Sequence, residues 1–197
     1  LNLGSSRPWG FSDADRPLLD LLAQFVALAL GRARADVVKR RDARVAAAAK
    51  ALDEARSATP IRTPWLTHCI SEACDETTVV IREAPAFSFP HFTAEREHAY
   101  YSAGAASGLG WGLGAAIGAK LASPKRRVVA CLGDGSTMFG LQGLWTLAKY
   151  RIPLLVIVFN NRAYMAVKNQ FRGSEDRIRI AAEMGAEITG PEINLAR

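Results

Sequence analysis

Short apolar runs alternate with longer helix-like segments through the second half of the chain. The runs Thr77–Glu83, Val128–Leu132 and Leu154–Phe159 are rich in aliphatic residues and have the length of buried strands. Between the last two, the segment Thr137–Tyr150 has the length and apolar content of a helix, and Pro153 ends that pattern. A right-handed strand–helix–strand crossover then brings the two strands together with their ends on the same edge. The pattern therefore predicts an α/β fold.

The first quarter of the chain has a different pattern, made of long helix-favouring segments. Ser12 and Asp13 can cap a helix that extends to about residue 33, and a second helix is predicted over about residues 35–55. The second segment is rich in Ala and Arg and has only a thin apolar face. The stretch 57–64 ends the helical pattern. We therefore expect a helical linker ahead of the α/β domain.

Composition and charge narrow the class of protein. With 197 residues and 49% apolar content, the chain is long enough to bury a core. No segment approaches the ~18 apolar residues of a membrane span, so no membrane partner is expected. The formal net charge of +6 is spread over mixed-sign segments such as Lys39–Asp42 and Arg172–Arg177, which does not favour nucleic-acid binding. Cys69, Cys74 and Cys131 lack CxxC spacing and are odd in number, which fits a reducing compartment and predicts a cytoplasmic protein.

Two polar motifs follow the last two predicted strands. Gly133-Asp134-Gly135-Ser136 comes directly after one apolar run, and Asn160-Asn161 closes the next, about two dozen residues later. An acid and an amide at the carboxyl ends of neighbouring strands suit a hard divalent cation that bridges to a phosphate. Gly135 permits a tight turn, and a helix that begins at Ser136 points free N–H groups at an anion. Each motif alone is typical of a turn, but both in this order predict a cation and phosphate site.

This layout resembles the diphosphate-binding motif of thiamine-diphosphate enzymes, which reads Gly-Asp-Gly, two dozen or slightly more residues, then Asn-Asn. The resemblance covers about residues 60–197 and implies their cofactor-binding fold, a mostly parallel sheet with helices on both faces. It implies thiamine diphosphate and Mg²⁺ as cofactors, with Mg²⁺ held by Asp134, Asn161 and the main-chain carbonyl of Ala163. Further cofactor contacts implied near the two motifs are Gly133, Gly135, Ser136, Tyr164 and Met165.

A second signature of the same family lies upstream. The run Tyr101–Lys120 is rich in Gly and Ala and is similar to the Gly-rich loop and helix that precede Gly-Asp-Gly in acetolactate synthases and benzoylformate decarboxylases. Such a loop lets the backbone pass close to a ligand. By the family pattern, Leu109 is the apolar wedge beneath the bent cofactor, and the carbonyl of Ser107 accepts a hydrogen bond from the aminopyrimidine. Gly108 belongs to the same contact. Taken alone, the run would indicate only tight helix packing.

The end of the first predicted strand supplies another candidate. In relatives a Glu often lies there near the cofactor, and the resemblance gives Glu83 a catalytic role. Where some relatives supply hydroxyl groups to the diphosphate, this chain has Ala84-Pro85-Ala86, a departure from the pattern. His91 is a candidate for substrate contact. Candidates for an apolar substrate pocket are Met138, Phe139, Tyr164, Met165 and Val167.

The resemblance implies an enzyme that decarboxylates a 2-keto acid and then protonates or ligates the resulting carbanion. Lysis as in benzoylformate decarboxylase and ligation as in acetolactate synthase both stay open. In this family the nucleophile is the cofactor ylid, which is activated by a glutamate from an N-terminal domain of the partner subunit. The chain has no candidate for that glutamate, so alone it is expected to be inactive. The family also implies a homodimer or tetramer with each active site across a subunit interface.

The resemblance predicts how the chain is divided. Residues 1–57 resemble the end of the family's middle domain with its helical linker, and residues 58–197 resemble the diphosphate-binding domain without its last strands. The chain is therefore expected to be a fragment. Two alternatives are a natural subunit of a split enzyme and a non-catalytic cofactor-binding module. The middle-domain remnant disfavours the first alternative, and the intact pair Asp134 and Asn161 disfavours the second.

Overall fold

A computed structural model describes residues 13–93, 99–103, 108–170, 185–191 and 193–194. The chain divides into two compact units, Leu1–Ala51 and Leu52–Arg197. None of the described helices is both long enough and apolar enough to cross a membrane.

The described part of the first unit is one continuous helix. After a 3₁₀ turn at Asp13–Asp15, α1 (Arg16–Ala55) extends over 40 residues, so its last residues belong to the second unit. The prediction of two helices that meet near residue 34 is wrong. Gly31 costs a helix only about 1 kcal/mol, and the Ala- and Arg-rich segment after it favours helix. The large apolar side chains of α1 are exposed along its length, from Leu18 to Val45.

The second unit contains a four-stranded, all-parallel sheet with the strand order β2-β1-β3-β4. The strands β1 (Thr78–Arg82), β3 (Arg127–Gly133) and β4 (Leu155–Phe159) confirm the three predicted runs. The short edge strand β2 (Tyr100–Ser102) was not predicted. It lies in the Gly-rich run and exposes two of its three residues, so it lacks the apolar pattern of the other strands.

Helices cover both faces of this sheet, as the resemblance implied. On one face, α2 (Thr63–Ala73) packs Ile70 against a core that includes Val80, Phe87 and Cys131. On the other face, Leu113 of α3 (Trp111–Ala122) packs against the alternate residues of β1 and β3. Because side chains alternate along a strand, the same two strands supply both cores. The sheet is thus buried on both faces, as parallel sheets usually are.

The segment after β3 forms two helices instead of the single predicted one. α4 (Asp134–Gly140) begins at Asp134, two residues before the predicted start at Ser136, and α5 (Gln142–Tyr150) follows a break at Leu141. A Cβ atom on Gly140 would lie 2.8 Å from the carbonyl oxygen of Gly110, so the Gly-rich loop packs directly against the end of α4. This close approach and the low helix propensity of Gly account for the break. A short helix, α6 (Met165–Gln170), follows β4.

Candidate active site

The two polar motifs lie side by side at the carboxyl edge of the sheet. Gly133 and Phe159 are register partners at the ends of β3 and β4, so Asp134 and Asn160-Asn161 leave the sheet together. One carboxylate oxygen of Asp134, Oδ1, accepts a hydrogen bond from the N–H of Gly135 at 2.9 Å. The other, Oδ2, accepts one from the N–H of Asn161 at 3.1 Å. The Asp134 carboxylate therefore ties the two motifs together.

Asp134 is a buried carboxylate without a cationic partner among the described residues. It is 4% exposed, and no Lys or Arg of the described ranges forms an ion pair with it. Two N–H donors stabilise its charge, but they do not neutralise it. Burying an unpaired charge is expensive, and most buried charges are paired with a cation or coordinate a metal. The arrangement therefore suits a cation at this position.

Side-chain caps shape the loop that follows β4. The Oδ1 atom of Asn160 accepts the N–H of Arg162 at 3.1 Å, and Oδ1 of Asn161 accepts the N–H of Ala163 at 3.0 Å. Arg162 has a positive φ of 57°, a conformation that such Asn-capped turns accommodate. The carbonyl oxygen of Ala163 accepts the N–H of Met165 at 2.8 Å. Each of these acceptor oxygens keeps a second lone pair for another partner.

A segment from the far end of the chain pairs with this loop. Ala163 forms an antiparallel bridge with Glu187. The N–H of Tyr164 donates a hydrogen bond to the Ala186 carbonyl at 2.8 Å. The N–H of Ile188 donates one to the Arg162 carbonyl at 2.7 Å. Lys168 of α6 forms an ion pair with Glu187. Sequence reasoning did not identify this pairing, because it joins residues more than twenty positions apart without an apolar strand pattern.

A cavity of about 400 Å³ opens beside these motifs. Among the residues assigned from the sequence, those that line it are Leu109, Gly133, Asp134, Gly135, Ser136, Asn161, Ala163, Tyr164, Met165 and Val167. Ala84, Pro85 and Ala86 line it as well, so the departure from the hydroxyl-bearing pattern gives the cavity an apolar wall. Lining residues that sequence reasoning missed are Phe159, Ala166 and Asn169.

Several assigned residues lie away from the cavity or outside the described ranges. Met138 and Phe139 do not line it; the Phe139 ring instead meets the Tyr164 ring edge-on at 6.4 Å. A hydrogen bond of 2.7 Å joins Nδ1 of His91 to Oγ of Ser88. His91 does not line the cavity. Gly108 is described but is not a lining residue, and Ser107 lies outside the described residues.

Glu83 also differs from its expected place. Its carboxylate oxygens accept hydrogen bonds from two backbone N–H groups, that of Gly110 at 2.5 Å and that of Gly112 at 2.8 Å. Glu83 is not a lining residue of the cavity. The structure therefore places this carboxylate on the first turn of α3, beside the loop that carries Leu109.

Tyr164 and Gly135 fit closely across the cavity wall. A Cβ atom built on Gly135 would lie 2.5 Å from Cε1 of Tyr164, so only a glycine leaves room for the ring. Ser136 and Thr137 of the same turn are buried, and the Thr137 hydroxyl donates to the Gly133 carbonyl at 2.8 Å. These contacts fix the start of α4.

The groups that the described residues place around Asp134 are oxygen donors. Within the described ranges, no group of three or more His, Cys, Asp or Glu side chains is placed to hold a metal ion. A cation at this edge would therefore be held by one carboxylate, an amide oxygen and main-chain carbonyls. Such a set suits Mg²⁺ better than Zn²⁺, which prefers nitrogen and sulfur ligands.

Comparisons with known proteins agree with this geometry. A family profile described as thiamine pyrophosphate enzyme, C-terminal TPP binding domain, matches residues 84–195. A benzoylformate decarboxylase of Pseudomonas aeruginosa is 47% identical over 73 residues, which are 37% of this chain and 14% of that protein. A probable acetolactate synthase large subunit of Methanococcus aeolicus is 34% identical over 123 residues, 54% of this chain and 20% of that protein.

The fold is also similar to that of proteins whose structures have been solved. The structure of a thiamine diphosphate-dependent 4-hydroxybenzoylformate decarboxylase from Rhodococcus jostii superposes with a TM-score of 0.58 at 29% identity. The superposition covers 68% of this chain and 25% of that one. The chain thus spans between 14% and 25% of the length of these three relatives.

Proposed function

Because the chain belongs to the thiamine pyrophosphate enzyme family and carries its C-terminal TPP-binding domain, we propose that it holds the diphosphate of thiamine diphosphate through Mg²⁺. The observation that carries this proposal is the Asp134 carboxylate, which is buried, lines the cavity and has no cationic partner in the described part of the chain. Mg²⁺ would neutralise this carboxylate and at the same time attract a diphosphate.

Three residues are assigned as ligands of Mg²⁺. Asp134 contributes a carboxylate oxygen, Asn161 its side-chain oxygen and Ala163 its main-chain carbonyl. Within the described residues, each of these oxygens accepts one hydrogen bond, from a neighbouring N–H, which leaves a second lone pair for a cation. All three are oxygen donors, as a hard cation requires.

The remaining lining residues are assigned to the cofactor and substrate. Gly133, Gly135 and Ser136 line the cavity near Asp134 and are assigned to the diphosphate, whereas Leu109, on the same cavity wall, is assigned to the ring portion. When bound, thiamine diphosphate supplies a carbon nucleophile and an electron sink for cleavage of a bond next to a carbonyl group. The chain's own contribution is to orient that group and to keep water away with the apolar wall around Ala84, Pro85 and Met165.

We propose a 2-keto acid as the substrate, which loses CO₂ before the remaining fragment is protonated or ligated. The relatives reported above include decarboxylases of benzoylformate and 4-hydroxybenzoylformate and a probable acetolactate synthase subunit. The apolar wall supports a substrate with an uncharged side chain. The reaction is proposed for the complete enzyme, in which residues 58–197 form the diphosphate-binding domain and residues 1–57 belong to the preceding domain and linker.

An oligomer with active sites at subunit interfaces is part of the same proposal. Several large apolar side chains of α4 and α5 are exposed, namely Phe139, Trp145 and Tyr150. Exposed apolar surface of this kind supports a contact with another subunit. The mass of the natural gene product in solution, measured by light scattering, tests this assembly.

Calorimetric titration of the natural gene product with thiamine diphosphate tests the proposed function. We expect binding in the presence of Mg²⁺ and its loss after chelation of the metal. Benzoylformate and a short aliphatic 2-keto acid are then supplied in turn, and released CO₂ and the carbon product are measured. An aldehyde product indicates lysis, whereas a 2-hydroxy ketone or a 2-acyl-2-hydroxy acid indicates ligation. Absence of Mg²⁺-dependent cofactor binding would overturn the proposal.

A further inference from the structure

The Glu83 carboxylate connects the sheet to the loop that carries Leu109. Its two oxygens accept the N–H groups of Gly110 at 2.5 Å and Gly112 at 2.8 Å, which lie one and three positions after Leu109. Gly110 precedes the first residue of α3, and Gly112 lies in its first turn, where backbone N–H groups have no partner within the helix. A carboxylate at this end of the 12-residue helix is also favoured by the helix dipole.

Glu83 is itself fixed to the strand that carries Asp134. The N–H of Glu83 donates to the carbonyl of Cys131 at 2.8 Å, and the N–H of Ala84 donates to the same carbonyl at 3.0 Å. Cys131 is fully buried in β3, three positions before Asp134. The same strand therefore sets the position of Asp134 and, through Glu83, the position of the Leu109 loop.

At two glycines this loop packs closely against neighbouring segments. Gly110 has a positive φ of 92°, and a Cβ atom on it would lie 2.8 Å from the Phe139 main chain at the end of α4. A Cβ atom on Gly112 would lie 2.7 Å from Oε2 of Glu83 and 2.8 Å from the Leu132 side chain. The loop is thus held by Glu83 on one side and by α4 on the other, with Leu109 at the cavity wall.

We propose that Glu83 is a positioning residue that holds Leu109 against the ring portion of the cofactor. Both carboxylate oxygens are engaged with the loop and Glu83 does not line the cavity, so it acts through Leu109 and not on reacting atoms. This role rests on the proposed function. It also predicts that the Asp134 side of the cavity binds diphosphate and metal, whereas the Leu109 side binds only the thiamine portion.

Binding of two ligands to the natural gene product separates these contributions. Thiamine diphosphate with Mg²⁺ reports on the whole site, whereas inorganic pyrophosphate with Mg²⁺ reports on the Asp134 side alone. For Glu83→Gln, which keeps one acceptor oxygen but turns an NH₂ group toward the second N–H, we expect the Kd for thiamine diphosphate to rise about 10-fold or more. The Kd for pyrophosphate should stay within about 2-fold, because the Asp134 site is unchanged.

A readout without ligand accompanies the titrations. Amide hydrogen exchange should accelerate at least about 10-fold in Glu83→Gln at whichever of Gly110 and Gly112 faces the new NH₂ group, since that amide loses its acceptor. Glu72→Gln serves as the matched control, because Glu72 is exposed on α2 and does not line the cavity. It should leave both dissociation constants and both exchange rates unchanged. Where Glu83→Gln fails to fold, Glu83→Asp provides the same comparison, because its shorter side chain cannot reach both N–H groups.

A double-mutant cycle with Leu109→Ala tests whether Glu83 acts through Leu109. Leu109→Ala alone should also weaken binding of thiamine diphosphate but not of pyrophosphate. In that background Glu83→Gln should add less than about 3-fold, because the side chain that it positions is already gone. Two results would overturn the positioning role and leave the proposed function intact. In one, the effects of the two substitutions on the Kd for thiamine diphosphate multiply. In the other, Glu83→Gln weakens binding of thiamine diphosphate and of pyrophosphate equally. Failure of the unaltered protein to bind thiamine diphosphate would overturn both.

Discussion

The N–H of Asn161 donates a hydrogen bond of 3.1 Å to Oδ2 of Asp134, across 27 positions of sequence. This bond joins the ends of two neighbouring strands and fixes the position of the carboxylate. The other carboxylate oxygen is held in the same way by Gly135. A site with its ligands already fixed loses less conformational entropy when a metal and a diphosphate bind.

Asp134→Ala should abolish Mg²⁺-dependent binding of thiamine diphosphate by the natural gene product. The substitution removes the only carboxylate assigned to the metal, and we expect the Kd to rise about 100-fold or more, as for loss of a charge-assisted ligand worth about 3 kcal/mol. Secondary structure, followed by far-ultraviolet circular dichroism, should be retained. Asp53→Asn, at an exposed position of α1, is the matched control and should bind normally. Undiminished binding by Asp134→Ala would contradict the metal assignment.

Gly135→Ala should destabilise the protein by about 1–3 kcal/mol, because the new methyl group overlaps the ring of Tyr164. Gly118→Ala is a matched control inside α3, where a Cβ atom meets nothing within 4 Å, and it should stabilise the protein by about 0.5–1 kcal/mol. Urea denaturation measures both free energies of unfolding. In a Tyr164→Ala background, Gly135→Ala should lose most of its effect on the free energy of unfolding. An undiminished loss of stability in that background would show that overlap with the Tyr164 ring is not the cause.

The contribution of Asp75 to stability should depend on pH. Hydrogen bonds from the Thr77 and Thr78 hydroxyls and from Arg127 hold the pKa of this carboxyl well below its usual range. Because the folded-state pKa lies below the unfolded value of about 3.9, the stabilisation is present above that pH and is lost as the pH falls further. Asp75→Asn should therefore be less stable than the unaltered protein at pH 7, and the difference should shrink below about pH 4. Thermal unfolding across pH measures this, and a pH-independent difference would contradict it.

The three cysteines should differ in reactivity. Burial raises the pKa of the Cys131 thiol to about 12, and burial also raises that of Cys74, whereas Cys69 is exposed. Since the thiolate is the reacting form, iodoacetamide at pH 8 should modify Cys69 first and Cys131 only after unfolding. Peptide mapping by mass spectrometry gives the order. Rapid modification of Cys131 in the folded protein would show that β3 is more accessible than the structure indicates.

Much of the fold follows from local patterns. The runs that became β1, β3 and β4 are apolar enough to require burial on both faces, and the breaks at 57–64 and Pro153 follow from turn-forming residues. The two polar motifs were expected at one edge because parallel strands joined by a helix end on the same side. The register of Gly133 with Phe159 agrees with this expectation.

Other features depended on contacts between distant segments. The break at Leu141 arises where the Gly110 loop meets Gly140, and β2 exists because it pairs with β1, although its own sequence is polar and short. The bonds from Glu83 to Gly110 and Gly112 span 27 and 29 positions. Local sequence alone predicted three of the four strands and the motifs that follow two of them, because burial and turn formation act on neighbouring residues. Only the tertiary structure decided that Glu83 faces the Leu109 loop and not the cavity, because that choice depends on packing between segments that no local pattern relates.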